Sequence, residues 1–168
     1  MGFLKDRAFI TALVRGIAFA VITILFMAIP VFHGFLWCVY IGFFMTMAFG
    51  VKKSEYLNYV CSLLAGYVWA FGYVYGPQLL EEAIHLPHIG AMAISELILT
   101  FLLIFIHVKF LHHTVLNKVP AVFAGVATVF AAGGIDQTIL CAASAVVGIS
   151  MAIVTEIIIV RIAEKNSK

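Results

Sequence analysis

Apolar residues run along this chain in blocks about as long as a bilayer crossing, and polar residues are concentrated in the breaks between them. A hydrocarbon core about 30 Å thick takes roughly 20 residues of α-helix. Blocks of that kind occupy residues 8–29, 32–50, 56–76, 89–110 and 138–160; a shorter one, Val119 to Ala132, becomes 116–134 when its flanks are included. The pattern predicts an all-α polytopic membrane protein, a single transmembrane domain over 1–168 with six transmembrane helices. Little chain is left for any domain outside the membrane.

The breaks carry a sign. Lys5 and Arg7 precede the first block, Lys52 and Lys53 separate the second from the third, Lys109 and Lys118 flank the turn before the fifth, and Arg161, Lys165 and Lys168 follow the sixth. With six crossings all of these fall on one side, and positive residues are retained in cytoplasmic loops. The opposite connections hold Glu81, Glu82 and Asp136 and no Lys or Arg. Both termini are therefore expected to be cytoplasmic, with the first helix a retained signal anchor. The absence of an N-x-S/T sequon accords with a multi-pass protein of the bacterial inner (plasma) membrane.

Composition narrows the function classes. The chain is 64% hydrophobic and 11% charged, against about 25% charged in a soluble domain, and its mean hydropathy is +1.14. The net charge of +2 is scattered, so no basic face for nucleic acid exists. Cys38, Cys61 and Cys141 all lie in apolar stretches without C-x-x-C spacing, which argues against disulfides and zinc. His85 and His88 beside Pro87 lack the helical presentation of a metal site, so no metal and no cofactor is expected. Nucleotide-binding glycine loops, G-x-S-x-G and H-E-x-x-H are absent from the sequence. No catalytic residue is assigned, and the chain is not expected to be an enzyme.

The second and third blocks can be laid over the fifth and sixth. Val39 meets Val122, Tyr40 meets Phe123, Gly42 meets Gly125 and Gly50 meets Gly133; with a three-residue gap, Cys61 meets Cys141 and Ala65 meets Ala145. Three helices per unit make the halves opposite in orientation. A three-plus-three inverted repeat of this kind is a plan common among transporters, which bind their cargo near the midplane.

Charges inside spans need a reason, because one at a helix centre costs about 2.5 to 3.5 kcal/mol on insertion scales. Glu96 lies about two turns into the fourth helix, where Met92, Glu96, Thr100, Leu103 and His107 share a stripe at about 100° per residue. One reading makes the stripe a pore or substrate-binding wall, with Glu96 the titratable group and His107 near the cytoplasmic mouth; the other makes Glu96 a packing group satisfied by a hydroxyl. Arg15 and Glu156 lie at matching depth in the first and sixth helices and are expected to form a structural ion pair. Small residues at four-residue spacing (Ala12, Gly16, Ala20; Ala124, Thr128, Ala132; Ser144, Gly148, Ala152) predict helix seams. Both Trp and all six Tyr fall between Trp37 and Tyr75. Tyr56, Tyr73 and Tyr75 are assigned to interfacial belts, whereas Tyr40, Tyr67, Trp69 and Phe71 are deep enough to line a constriction.

The glycine-alanine stretches, a helix ending VFAAGG (Val129 to Gly134), the length and the six-span layout together resemble the bacterial inner-membrane family called domain of unknown function 1097. That resemblance covers essentially the whole chain and implies a location but no activity. In architecture alone the chain is also similar to small six-helix urea and acetate channels, which assemble as rings of subunits. The sequence expectation is a channel or facilitator for a small neutral or weakly acidic solute, whose partners are the permeant, the bilayer and further copies of the chain. The alternatives are a proton-coupled secondary transporter using Glu96, and a structural membrane protein without transport.

Overall fold

The computed structural model of the chain describes residues 6–166; Lys5 and Lys168, used above for orientation, lie outside them. Six α-helices follow one another: α1 (Arg7–Ala28), α2 (Leu36–Ala48), α3 (Tyr56–Ile84), α4 (His88–Lys109), α5 (Val119–Ala131) and α6 (Thr138–Asn166). The Asp6 carboxylate accepts the Ala8 N–H at 2.9 Å and starts α1; Pro30, in a 3-10 turn, follows its end. Four helices (α1, α3, α4 and α6) are long and apolar enough to cross a bilayer. The molecule is built as a membrane protein.

Two helices are shorter than the hydropathy blocks suggest. Both α2 and α5 have 13 residues, about 20 Å of helix at 1.5 Å per residue, well short of the hydrocarbon thickness. Each is stopped by the same C-terminal cap. In α2 the Val51 N–H bonds to Thr46 O at 3.3 Å and the Gly50 N–H to Met47 O at 3.0 Å; in α5 the Gly134 N–H bonds to Val129 O at 3.1 Å and the Gly133 N–H to Phe130 O at 3.0 Å. This paired bonding needs a left-handed residue just past the helix, and Gly50 (φ +82°) and Gly133 (φ +83°) supply it. A 3-10 turn follows in both places before the next long helix. Conversely α3 does not stop at Gly76. It continues through Pro77 to Ile84, because Pro77 forfeits one helical hydrogen bond while the following Leu, Glu and Ala residues favour helix. Most of the expected outer loop is thus helical, and His85, at φ +52°, makes the turn into α4.

Contacts gather the chain into two compact units: the N-terminal part through Tyr56 with the chain from Ser144 onward, and Leu57–Ala143. In the first, α2 packs on α6 with backbone against backbone. A Cβ added at Gly42 would collide with the Ala145 carbonyl, and one at Gly148 with the Val39 carbonyl. In the second unit, α5 packs on α3 in the same manner: a Cβ at Gly66 would collide with the Val122 carbonyl and one at Gly125 with the Leu63 carbonyl. Close approach through small residues is how helices associate where lipid removes the hydrophobic drive. Of the rows expected to form seams, Ser144, Gly148 and Ala152 are buried; Ala12, Gly16 and Ala20 are exposed, and Gly16 has nothing within 4 Å of its would-be Cβ.

Candidate functional site

The α4 stripe does not form one wall. Its buried row is Ala91, Ser95, Leu103 and His107, and a row at four-residue spacing turns by about 40° per step at 100° per residue. Ser95 therefore faces α3, where its hydroxyl would meet a Cβ at Gly76, and Glu96, about 100° further round, is exposed with Met92. Lower down the drift has carried the contact line across the helix. Leu103 enters the core with Tyr73, Val122 and Val126, and His107 is buried.

Glu96 keeps one polar tie to the core. The Thr100 hydroxyl donates to its Oε1 at 3.3 Å, and the Tyr73 and Thr100 hydroxyls lie 2.9 Å apart. With Thr100 donating to the carboxylate, the Tyr73 hydroxyl donates to Thr100. A hydroxyl relay thus runs from the core of this unit to an exposed carboxylate about two turns into α4. Tyr73, assigned from sequence to an interfacial belt, is instead a buried member of the core, with the edge of Phe130 packed against it at 6.3 Å.

His107 belongs to a different network. The Trp69 indole donates to His107 Nε2 at 3.2 Å, and His107 Nδ1 lies 2.7 Å from the Leu116 carbonyl. Indole N–H can only donate, so Nε2 accepts, and the proton sits on Nδ1, pointing at Leu116 O. This arrangement requires a neutral imidazole. Its neighbours hold the same connection: Asn58 donates to Thr114 O at 3.3 Å and to Asn117 Oδ1 at 3.1 Å, while the Ser62 hydroxyl donates to Val115 O at 3.3 Å and accepts the Lys118 N–H at 3.1 Å. Three successive carbonyls before α5 are thereby satisfied by side chains of α3 and α4. Sequence reasoning passed over Asn58 and Ser62, although 58, 62, 66, 69 and 73 recur at helical spacing as a polar, small and aromatic row. His107→Phe is expected to leave the Leu116 carbonyl and the Trp69 N–H without partners and to cost about 1 to 3 kcal/mol, with Trp69→Phe near 1; nitrogen-15 shifts of the His107 ring in the wild type should report the Nδ1–H tautomer.

The aromatic candidates have different surroundings within their own units. Tyr67 is buried, Trp69 is engaged with His107, and Phe71 is exposed beside Tyr75, with ring centroids 6.5 Å apart. Tyr40, in the other unit, stacks on Phe19 at 4.7 Å and is partly exposed. In that same unit Arg15 Nη2 lies 2.8 Å from Glu156 Oε2, and Arg7 Nη2 reaches the other carboxylate oxygen at 3.7 Å. The Arg15 guanidinium also sits 6.0 Å from the centre of the Phe43 ring. Among the described residues no three His, Cys, Asp or Glu side chains gather as metal ligands; His88 contacts Glu81 instead.

The chain matches the family described as "Protein of unknown function (DUF1097)" over residues 10–158. It belongs to that family. The matched stretch runs from the first turn of α1 to a point about two turns before the end of α6, so the glycine contacts, the Arg15–Glu156 pair and the Glu96 relay all lie within the shared DUF1097 region. No curated protein and no solved structure matches the chain.

Proposed function

We propose that this DUF1097 protein is a homo-oligomeric channel or facilitator of the bacterial inner membrane, conducting a small neutral or weakly acidic solute past the Glu96–Thr100–Tyr73 relay. The observation that carries the reading is the placement of Glu96: a carboxylate within an apolar span, exposed at the surface of its own chain, with a hydroxyl relay behind it. Facing lipid, an ionised carboxylate at that depth is penalised by about 2.5 to 3.5 kcal/mol. Facing a water-filled path between copies, it is hydrated and offers acceptors beside a threonine and a tyrosine hydroxyl, groups suited to amides, alcohols and protonated acids.

An inverted repeat supports the transporter-like plan. The helices of the two halves have matching lengths of 22, 13 and 29 residues; the short ones share a cap, and each packs by reciprocal glycine contacts on the third helix of the other half. Those contacts pair Val39 with Val122 and Gly42 with Gly125, as the sequence alignment does. On this reading the contacts of the two seams correspond when Leu63 is matched to Ala145 and Gly66 to Gly148, a gap of one residue between the halves where the sequence alignment, matching Cys61 to Cys141 and Ala65 to Ala145, uses three. Six crossings with cytoplasmic termini follow on this plan, with α2 and α5 as short, protein-covered spans.

Purified protein in liposomes, followed by light scattering after osmotic jumps of urea, glycerol, acetate and short amides, tests the reading. One solute class should permeate without saturation, and Glu96→Gln should change that rate at least severalfold, with Thr100→Val acting in the same direction. Saturable flux that dies with the proton gradient would replace the channel by a carrier coupled through Glu96; unchanged permeability for every solute would overturn transport by this route.

A further inference from the structure

A groove in the first unit has a composition that the solute path does not use. It encloses about 460 Å³ and is lined on its apolar side by Ile153, Ile157 and Val160 of α6 and on its polar side by Lys53, Arg161 and the carboxylates of Glu156 and Glu164. Neither Lys53 nor Arg161 has an ion-pair partner among the described residues. The carboxylates beside them are Glu156, already held by Arg15 and Arg7, and Glu164. The lining itself balances two cations against two carboxylates, but Glu156 is neutralised from outside the groove by Arg15 and Arg7, which leaves Lys53 and Arg161 facing Glu164 and a net positive surplus. Its depth also fits a boundary: Arg161 follows the last apolar residues of the sixth span and Lys53 precedes α3, which places both cations where hydrocarbon gives way to headgroups, while Ile153 and Ile157 lie within the hydrocarbon.

We propose that this groove binds an anionic phospholipid, with the headgroup phosphate between Lys53 and Arg161 and the first acyl methylenes against Ile153, Ile157 and Val160. Charge complementarity selects the occupant. A zwitterionic lipid carries a compensating cation that the lysine and arginine would repel, whereas a free anion has no use for the apolar floor; basic pockets at the inner ends of membrane helices take acidic headgroups in this way. Arginine contributes a planar fork matched to phosphate, and lysine a mobile point charge.

Native mass spectrometry of the full chain, released from micelles doped with phosphatidylglycerol or phosphatidylcholine, reads the retained lipid directly. Wild type should keep phosphatidylglycerol in preference to phosphatidylcholine, and Lys53→Gln with Arg161→Gln should weaken that retention by about 30-fold, the combined effect of two interfacial cations. Lys52→Gln with Lys109→Gln, which removes as much charge elsewhere, should leave it unchanged. Ile157→Trp, which fills the floor and keeps both cations, should reduce retention as well and keeps the test decisive if the double glutamine variant folds poorly. Equal retention of the two lipids by wild type, or phosphatidylglycerol retention that survives both sets of groove substitutions, would overturn the proposal; competition by inorganic phosphate alone at millimolar concentration would show a free-anion site and overturn the lipid assignment.

Discussion

Gly66→Ala is expected to be among the most damaging single methyl additions to the described residues, costing about 3 kcal/mol or more, at or beyond the top of the usual range for overpacking. The reason lies in what the methyl would meet. At Gly66 it overlaps the carbonyl of Val122 and approaches the Gly125 Cα to 2.9 Å, and backbone atoms cannot rotate aside as a side chain does. α3 and α5 would have to separate, opening the packing of Leu63, Val122 and Val126. Gly125→Ala, which meets Leu63 O across the same seam, should be similarly damaging; the pair together should cost much less than the sum, because a seam already parted has room for the second methyl. Gly16→Ala is the control: its space is open, and removing a helix-interior glycine is neutral or favourable. Thermal unfolding of the four variants and the wild type in one detergent checks the order. Gly66→Ala unfolding at the wild-type temperature would refute the close approach.

Glu156→Leu is expected to cost about 2 to 4 kcal/mol, a little below the range for breaking a fully buried pair, because the two side chains retain 19% and 26% of their exposure. The loss is the stranding of Arg15 rather than the removal of an attraction. Its guanidinium would be left in a span with the face of Phe43 at 6.0 Å and no carboxylate. Arg15→Met combined with Glu156→Leu should therefore recover most of the stability, the outcome expected when a desolvated pair is replaced by apolar volume. A double-mutant cycle on unfolding midpoints measures this. If the double variant is as unstable as the sum of the single ones, the pair has no coupling and the ion-pair account fails.

The long helices were legible because a bilayer crossing imposes its length on the sequence, and among the described residues α1, α3, α4 and α6 meet it as single helices. The ends of α2 and α5 were less so. Gly50 and Gly133 are apolar by hydropathy and so read as span, although each is the left-handed residue that stops its helix. Arg15 and Glu156 could be matched because depth along two helices suffices to pair them. Glu96 and His107 could not be separated in the same way: they share a face on an isolated helix, and only the drift of the contact line along α4 sends one outward and the other into the core. Tyr73 illustrates the same limit. Tyrosine content marks an interface on average, and only packing reveals that this hydroxyl turns inward to Thr100.

On the proposed reading Glu96 borders water within the membrane, and thiol accessibility reports whether it does. With Cys38, Cys61 and Cys141 replaced by alanine, single Glu96→Cys and Leu97→Cys variants in intact proteoliposomes would be treated with a membrane-impermeant, charged thiol reagent. Leu97 is 71% exposed on its own chain and, on this account, faces lipid, so exposure alone does not distinguish the two positions. Position 96 should label rapidly, more slowly in the presence of the permeant, and position 97 not at all; equal inertness at both positions in folded protein would rule out water at Glu96.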